Sequence, residues 1–324
     1  MATLPSFEDV LAARERLAGR VLPTPVLRVP ALDALAGAEL YLKCENLQRV
    51  GAFKARGAMN AVLSLPEERR ERGVVTFSSG NHGQAVALAA RELGIPAWVA
   101  MPSDAPTVKV DAVRALGAEV VFAGKTSADR YAEAVRIAER TGAVIVPPFD
   151  DSHVIAGQGT ATLELLEAHP DVDTVVVPVG GGGLLAGACL VAAALGKGTR
   201  VVAVEPASAN ALQKSLERGE RTRVEPGPTI ADGLRPVEVG ELNFQIAKRH
   251  VAHAIVVDDV EIERAVVRLL LSGKVLVEPS GGAALAAALE RKIPGEPKKI
   301  GVLLSGGNVA PSVLTKLIEK HAGG

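Results

Sequence analysis

The chain has 324 residues, 48% of them apolar, and a formal net charge of −1 with both signs interspersed. That length accommodates two domains of ordinary size. The charge balance excludes a nucleic-acid tract and a basic membrane-binding face, so neither nucleic acid nor membrane is expected as a partner.

The N-terminal stretch carries mixed charges, a helical pattern over 6–18 and no apolar run of signal length. LYLK (40–43) reads as a strand and 54–64 as a helix. VVTFSS (74–79) is a strand, followed by a helix over 81–94, the strand AWVAMP, a helix near 106–116, the strand AEVVFA, a helix near 126–140 and the strand AVIVPP. TVVVPV (174–179) opens a second series, with an apolar helix from 184, VVAVEP (201–206), AIVVDD, two helices and IGVLLSG (300–306). Residues 206–240 read as irregular, with ALQKSLERG the one helix. The apolar run 184–195 is shorter than the ~20 residues of a membrane span.

Strands rich in β-branched residues and separated by helices predict an α/β chain with two parallel sheets covered on both faces. The expected division is a discontinuous large domain, 1–66 with 152–324, and a small α/β domain, 67–151. One tryptophan, two tyrosines and six phenylalanines leave the core to Val, Leu, Ala and Ile. Cys44 and Cys189 lie far apart in no Cys-x-x-Cys and read as buried free thiols. A soluble chain of a reducing compartment, the cytoplasm, is expected.

Three loops join strands to helices: SSGNHG (78–83), VGGGGLLAG (179–187) and SGGN (305–308). Ligands of open parallel sheets bind at the carboxyl ends of the strands, where these loops lie. Four glycines opening a helix bring backbone N–H groups and partial positive charge to one point, an anion site that suits a phosphate. Gly181, Gly183 and Ala186 also satisfy the dinucleotide pattern, with Glu205 near the spacing of a ribose-binding acid, so an NAD-binding oxidoreductase stays open at this point. Lys54, in GAFKARGA, argues for a phosphate carrier that reacts with an amine. Pyridoxal phosphate is such a carrier, lysine is its covalent partner, and Phe53 would lie near the pyridine ring.

YLKCENLQRVGAFKARGA, SSGNHGQAVA, PFDDSHVIAGQGT, VVVPVGGGGLLAG, VAVEP, IADGL and LLSGGN occur, in this order, over residues 40–308. Together they resemble the pyridoxal-phosphate enzymes of the threonine dehydratase and serine racemase family, which have the tryptophan-synthase-like β-family fold, known as fold type II. Ala52 departs from the serine many members carry. His82 points toward the dehydratases, because cysteine synthases carry threonine there.

The resemblance implies roles by position. Lys54 would hold the cofactor as a Schiff base and then act as base on the substrate Cα. Asn81 would bond the ring 3′-oxygen, Gly180, Gly181, Gly182 and Gly183 with Leu184 would hold the phosphate, and Ser305 would face the pyridine nitrogen. Asn81 and Ser305 also read as ordinary helix caps. Ser78, Ser79, Gly80, Asn81 and His82 would bind the substrate carboxylate, with Arg130 a second donor or a solvated helix arginine. Ser79 would be the acid-base group opposite Lys54. A hydroxyl at the ring nitrogen makes a shallower electron sink than an aspartate, which favours loss of a β-hydroxyl.

The resemblance thus implies dehydration and deamination of L-threonine or L-serine, with serine racemisation as the alternative, in a homodimer or homotetramer. A weakly bound divalent cation, Mg²⁺ or Ca²⁺, would use Glu205 and the backbone of Ala209; the usual third ligand position is Ala211, which has no side-chain donor. His250 and His253 straddle a strand start and are not expected to bind metal. After Asn308 only sixteen residues follow, so the resemblance is to short forms without an isoleucine-sensing regulatory domain.

Overall fold

The computed structural model describes residues 3–78, 80–195 and 197–322. Among the described residues, ten strands form two sheets. The larger is built from β1 (Val26–Leu27), β2 (Glu39–Lys43), β7 (Thr174–Pro178), β8 (Arg200–Pro206), β9 (Val251–Val257) and β10 (Lys299–Leu303), in the order β1-β2-β10-β7-β8-β9. The smaller is built from β3 (Val74–Phe77), β4 (Ala97–Pro102), β5 (Glu119–Ala123) and β6 (Val144–Ile145), in the order β5-β4-β3-β6. All pairs are parallel except β1 with β2.

The strand chemistry explains this arrangement. TVVVP in β7 is buried at every position, as a central parallel strand covered by helices on both faces must be. Val302 of β10 pairs with Leu42 on one side and Val176 on the other, which puts β10 between the N-terminal strand and the later ones. One core cluster lies on each side of this sheet, Val176, Val202 and Val302 pointing into one and Val175, Val177 and Val201 into the other.

Several expected elements shift. AVIVPP forms only the two-residue strand β6, because the two prolines offer no N–H to a ladder. AIVVDD belongs to a strand that begins earlier, at Val251. His250 ends the preceding helix, and His253 pairs across to Val202. The reading in chain order passed over the Ser152–Ala168 helix, whose residues are buried on nearly every side, so no amphipathic stripe marks it. Its N-terminus is nevertheless capped by Asp151, whose carboxylate accepts from the N–H groups of His153 and Val154.

The helix Lys54–Leu63 lies between the sheets. Its Ala58, Met59 and Val62 join the core of the small sheet with Val74, Val86 and Val99. On its other side, a Cβ added to Gly57 would meet the carbonyl oxygen of Val154 at 2.8 Å, and one added to Gly157 would meet the Cα of Gly57 at 2.7 Å. Only glycines at this crossing let the two backbones approach so closely. This helix therefore presents its first residue, Lys54, at the boundary between the two sheets.

Candidate active site

A cleft of about 420 Å³ opens where the carboxyl ends of the two sheets face each other. Phe53, Lys54, Ser78, Gly80, Asn81, His82, Arg130, Leu184, Ser305 and all four glycines 180–183 line it. The structure thus brings together residues up to 252 positions apart in the chain. Ser79 lies outside the described residues. Glu205 and Ala209 are placed away from this cleft.

Lys54 begins its helix just after a stitch between two loops. Ala52 bridges to Gly306, Phe53 N–H donates to the Ser305 carbonyl at 3.1 Å, and Gly307 N–H donates to the Gly51 carbonyl at 2.9 Å. The lysine loop and the loop after β10 therefore behave as one unit. Just upstream, Val50 sits at φ 53°, a left-handed conformation that costs a β-branched residue free energy. Lys54 Nζ donates to the Pro148 carbonyl at 2.7 Å and lies 5.0 Å from the centroid of the Phe53 ring. Loss of water around it pulls the ammonium pKa down to about 8. No carboxylate among the described residues holds the charge on, so about a tenth of the amine is neutral and nucleophilic at pH 7, far more than in an ordinary lysine.

The glycine loop follows β7 and opens the helix Gly183–Leu195. Gly182 has φ +94°, and a Cβ on Gly181 would fall 2.1 Å from the Phe149 ring. The Gly181 carbonyl is drawn outward by Asn243 Nδ2 at 2.7 Å and Gly240 N–H at 3.0 Å. No acceptor among the described residues takes the N–H groups of Gly181, Gly182 or Gly183. Unpaired amides at a helix start, in a cradle that side chains would fill, fit a phosphate.

A second anion site lies across the cleft. The helix Asn81–Leu93 has no side-chain cap, and the N–H groups of Asn81 and His82 have no acceptor among the described residues. Gly80 N–H donates to Ser78 Oγ at 3.2 Å. His82 is buried, and its Nε2–H donates to the Val146 carbonyl at 3.1 Å. Desolvation and the neighbouring Lys54 drive its pKa down to about 3, so the ring is neutral and cannot serve as an acid. Arg130 is half-buried on the cleft wall rather than fully solvated. It donates to the Lys125 carbonyl and to Ser127 Oγ, and its buried Nε–H is unpaired.

Reading in chain order missed Glu278. Its Oε1 accepts from Asn81 Nδ2 at 2.8 Å, and Asn81 Oδ1 in turn accepts from Asn308 Nδ2, which also donates to the Val50 carbonyl at 2.7 Å. Burial, with Asp232 nearby, pushes the Glu278 carboxyl up to about 7. Its sequence signal was Glu-Pro-Ser-Gly-Gly opening an alanine-rich helix, a loop-to-helix junction of the same kind as the three glycine loops. Asn243, which shapes the glycine loop, carries no local signal, and Phe149 lies in the PFDDSH motif without a sign that it packs there.

In the structure Glu205 caps a helix. Its two oxygens accept from the N–H groups of Leu212 and Gln213, both at 2.8 Å, at the start of the helix Ala211–Arg218. Burial raises its pKa to about 7. Among the described residues no group of three His, Cys, Asp or Glu is placed to hold a metal ion. Ala211 adds no side-chain oxygen beside Glu205. Neither does Glu205 support a dinucleotide ribose, because it is turned into the fold. Cys44 and Cys189 are buried, with thiols pushed up to about 12.

Lys54, the unpaired glycine-loop amides, Asn81 and the Ser305 hydroxyl together fit pyridoxal phosphate in charge and chemistry. Comparison with known proteins agrees. The model of the family described as "Pyridoxal-phosphate dependent enzyme" matches residues 17–306. The chain is 43% identical to an L-threonine ammonia-lyase of Thermotoga maritima over 97% of this chain and 78% of that one. It is 43% identical to an L-threo-3-hydroxyaspartate ammonia-lyase of Saccharomyces cerevisiae over 94% of each. The solved structure of maize serine racemase superposes with a TM-score of 0.94 at 40% identity, covering 99% of both chains. With its cleft built around one desolvated lysine and a glycine cradle, the chain belongs to the family of pyridoxal-phosphate-dependent enzymes.

Proposed function

We propose that this enzyme removes water and then ammonia from L-threonine or L-serine, giving 2-oxobutanoate or pyruvate. The observation that carries the reading is a desolvated Lys54 amine in one cleft with two unpaired amide clusters, one suited to a phosphate and one to a substrate carboxylate. Pyridoxal phosphate, when bound, supplies an aldehyde that condenses with amines and a ring that draws electrons from the substrate Cα. Gly180 to Gly183 with Leu184 hold the phosphate, Asn81 bonds the ring oxygen, and Phe53 packs near the ring. Ser305 faces the ring nitrogen with a hydroxyl, which does not force a proton onto it. Ser78 and the N–H groups at the start of the Asn81 helix orient the substrate carboxylate. Lys54 Nζ takes the Cα proton. The β-hydroxyl then leaves as water, and hydrolysis of the resulting enamine releases ammonia.

The similarity to solved and curated serine racemases supports a second reaction at the same site. In this reading Ser79 returns a proton to the face opposite Lys54. The proposal also includes a cytoplasmic homodimer or homotetramer. An apolar surface supports a second copy: Leu22, Leu47 and Leu276 are 49%, 51% and 39% exposed, and hydrogen bonds exchanged between Gln48 and the Leu22 backbone and donated by Asn46 to the Leu276 carbonyl join their segments.

The test is direct. Purified protein is expected to absorb in the visible, to be fixed at Lys54 by borohydride, and to form 2-oxo acid from L-threonine or L-serine. Chiral analysis of serine left in the reaction separates elimination from racemisation. A colourless protein that forms no oxo acid from either substrate would overturn the proposal.

A further inference from the structure

Two residues after Lys54, the chain places a second cation facing the other way. At about 100° per residue, Arg56 projects roughly 200° around the helix from Lys54. Its side chain is fully buried. It forms a two-pronged pair with Glu45, through Nε to Oε2 at 2.7 Å and Nη2 to Oε1 at 2.8 Å. It forms a second pair with Glu164, through Nη1 to Oε1 at 2.6 Å and Nη2 to Oε2 at 2.8 Å. Thr160 Oγ1 accepts a further bond at 3.1 Å. Lys43, also buried, donates to Glu164 and to the Thr24 carbonyl. Two cations thus face two carboxylates, and every hydrogen-bonding nitrogen of Arg56 has a partner.

We infer that Arg56 is a positioning residue for Lys54. The guanidinium fork fixes both the rotation and the axial position of the first turn of the Lys54–Leu63 helix, against Glu45 on one side and Glu164 of the Ser152–Ala168 helix on the other. A planar fork specifies orientation in a way a hydrophobic contact of the same volume does not. A buried ion pair is weak evidence for stability in itself. Geometric specification at the base of the reactive lysine is what this one supplies. The Gly57–Gly157 contact sets how close the two helices lie, and the Arg56 nest sets how the first turn is rotated. The inference rests on the reading of Lys54 as the cofactor's anchor.

The experiment compares Arg56→Lys with Lys43→Met in the full-length protein. Lys43 belongs to the same buried nest but has no hydrogen bond to the Lys54 helix, so its variant reports loss of the nest as mere structure. At a temperature where circular dichroism shows both variants folded, Arg56→Lys is expected to lower kcat about 10- to 100-fold with KM within about twofold, since a shift of about 1 Å at a reacting group costs that much. Lys43→Met is expected to keep kcat within about twofold. A second readout needs no turnover: reductive methylation of Lys54 in the chain freed of cofactor, followed by peptide mass spectrometry. Its rate is expected to change at least about threefold in Arg56→Lys and to hold in Lys43→Met, in line with the same displacement. Should Arg56→Lys fail to fold, Glu164→Gln, at a site water partly reaches, is expected to move both readouts in the same direction. Wild-type kcat and methylation rate in Arg56→Lys, or in Glu164→Gln where that stands in for it, would overturn the inference, as would a parallel fall in Lys43→Met. A wild-type protein that takes up no pyridoxal phosphate would instead overturn the anchor reading, while the methylation comparison still decides the role of Arg56.

Discussion

Asn81 Nδ2 lies 2.8 Å from Glu278 Oε1, a hydrogen bond between the start of a small-sheet helix and a loop of the large sheet. It spends one of the two hydrogens of Nδ2 and leaves the other for the cofactor oxygen. Glu278 therefore aims Asn81. Glu278→Ala removes that aim, and a roughly 10-fold weaker hold on pyridoxal phosphate is expected, about 1.4 kcal/mol, in the range of one ordinary hydrogen bond. Equilibrium titration of the cofactor, followed by visible absorbance, checks it.

Glu278 and Glu205 share a pH consequence. Both carboxyls are raised from 4.5 to about 7 by burial. A raised folded-state pKa contributes stability that is fully present below about 4.5 and lost as pH rises through about 7. Each group thereby costs the fold on the order of 3 kcal/mol above pH 7. Glu278→Gln removes one ionisation while keeping an acceptor for Asn81. It is expected to raise the melting temperature at pH 8 and to leave it nearly unchanged at pH 5. Equal shifts at the two pH values would count against the assignment.

The Lys54 amine, lowered to about 8, sets the kinetics of cofactor capture. Only the neutral amine condenses with an aldehyde. The rate of uptake of pyridoxal phosphate by the cofactor-free chain is expected to climb with pH and level off above about 8, some two units below an ordinary lysine. Stopped-flow absorbance reads this. Lys54→Ala is expected to fold and to lose about 10³-fold or more in turnover, as removal of a base and covalent anchor does.

Gly181 and Gly94 make a matched test of the cradle. Both exclude a side chain, but for different reasons. A Cβ at Gly181 would fall 2.1 Å from the Phe149 ring, whereas Gly94 has φ +65° and open space around it. Gly94→Ala is expected to cost only about 1 kcal/mol of backbone strain. Gly181→Ala must displace Phe149, at about 1–3 kcal/mol, and is expected to weaken cofactor binding at least 10-fold as well. Urea unfolding and cofactor titration on both variants distinguish the two effects.

Ser79→Ala is expected to reduce D-serine formation more than pyruvate formation. Racemisation needs a proton on the face opposite Lys54, while elimination from the L-isomer uses the lysine face. Comparing fractional losses in the two products checks the role; equal losses would assign Ser79 to carboxylate positioning alone.

Local chemistry made much of this protein legible in its sequence. Strands such as TVVVP declare a buried parallel sheet because β-branched residues on both faces leave no solvent side. The glycine run after β7 and the lysine amid small residues declare a phosphate cradle and an amine, since only such residues let the backbone approach a ligand. The Ser152–Ala168 helix was not legible, because a helix buried all round shows no amphipathic period. Nor were the contacts of Glu278, Asn243 and Phe149, or those of Arg56 with its carboxylate partners. Asn81 meets Glu278 across 197 positions and Asn308 across 227, and Arg56 meets Glu164 across 108. Such partners become neighbours only when β10 inserts between β2 and β7 and two helices cross at paired glycines. The same burial decides that Glu205 caps a helix and that the Lys54 amine is far more often neutral near pH 7 than an ordinary lysine. Residue types settle which chemistry is on offer; the position of each charge relative to water and to distant partners is a property of the packed fold.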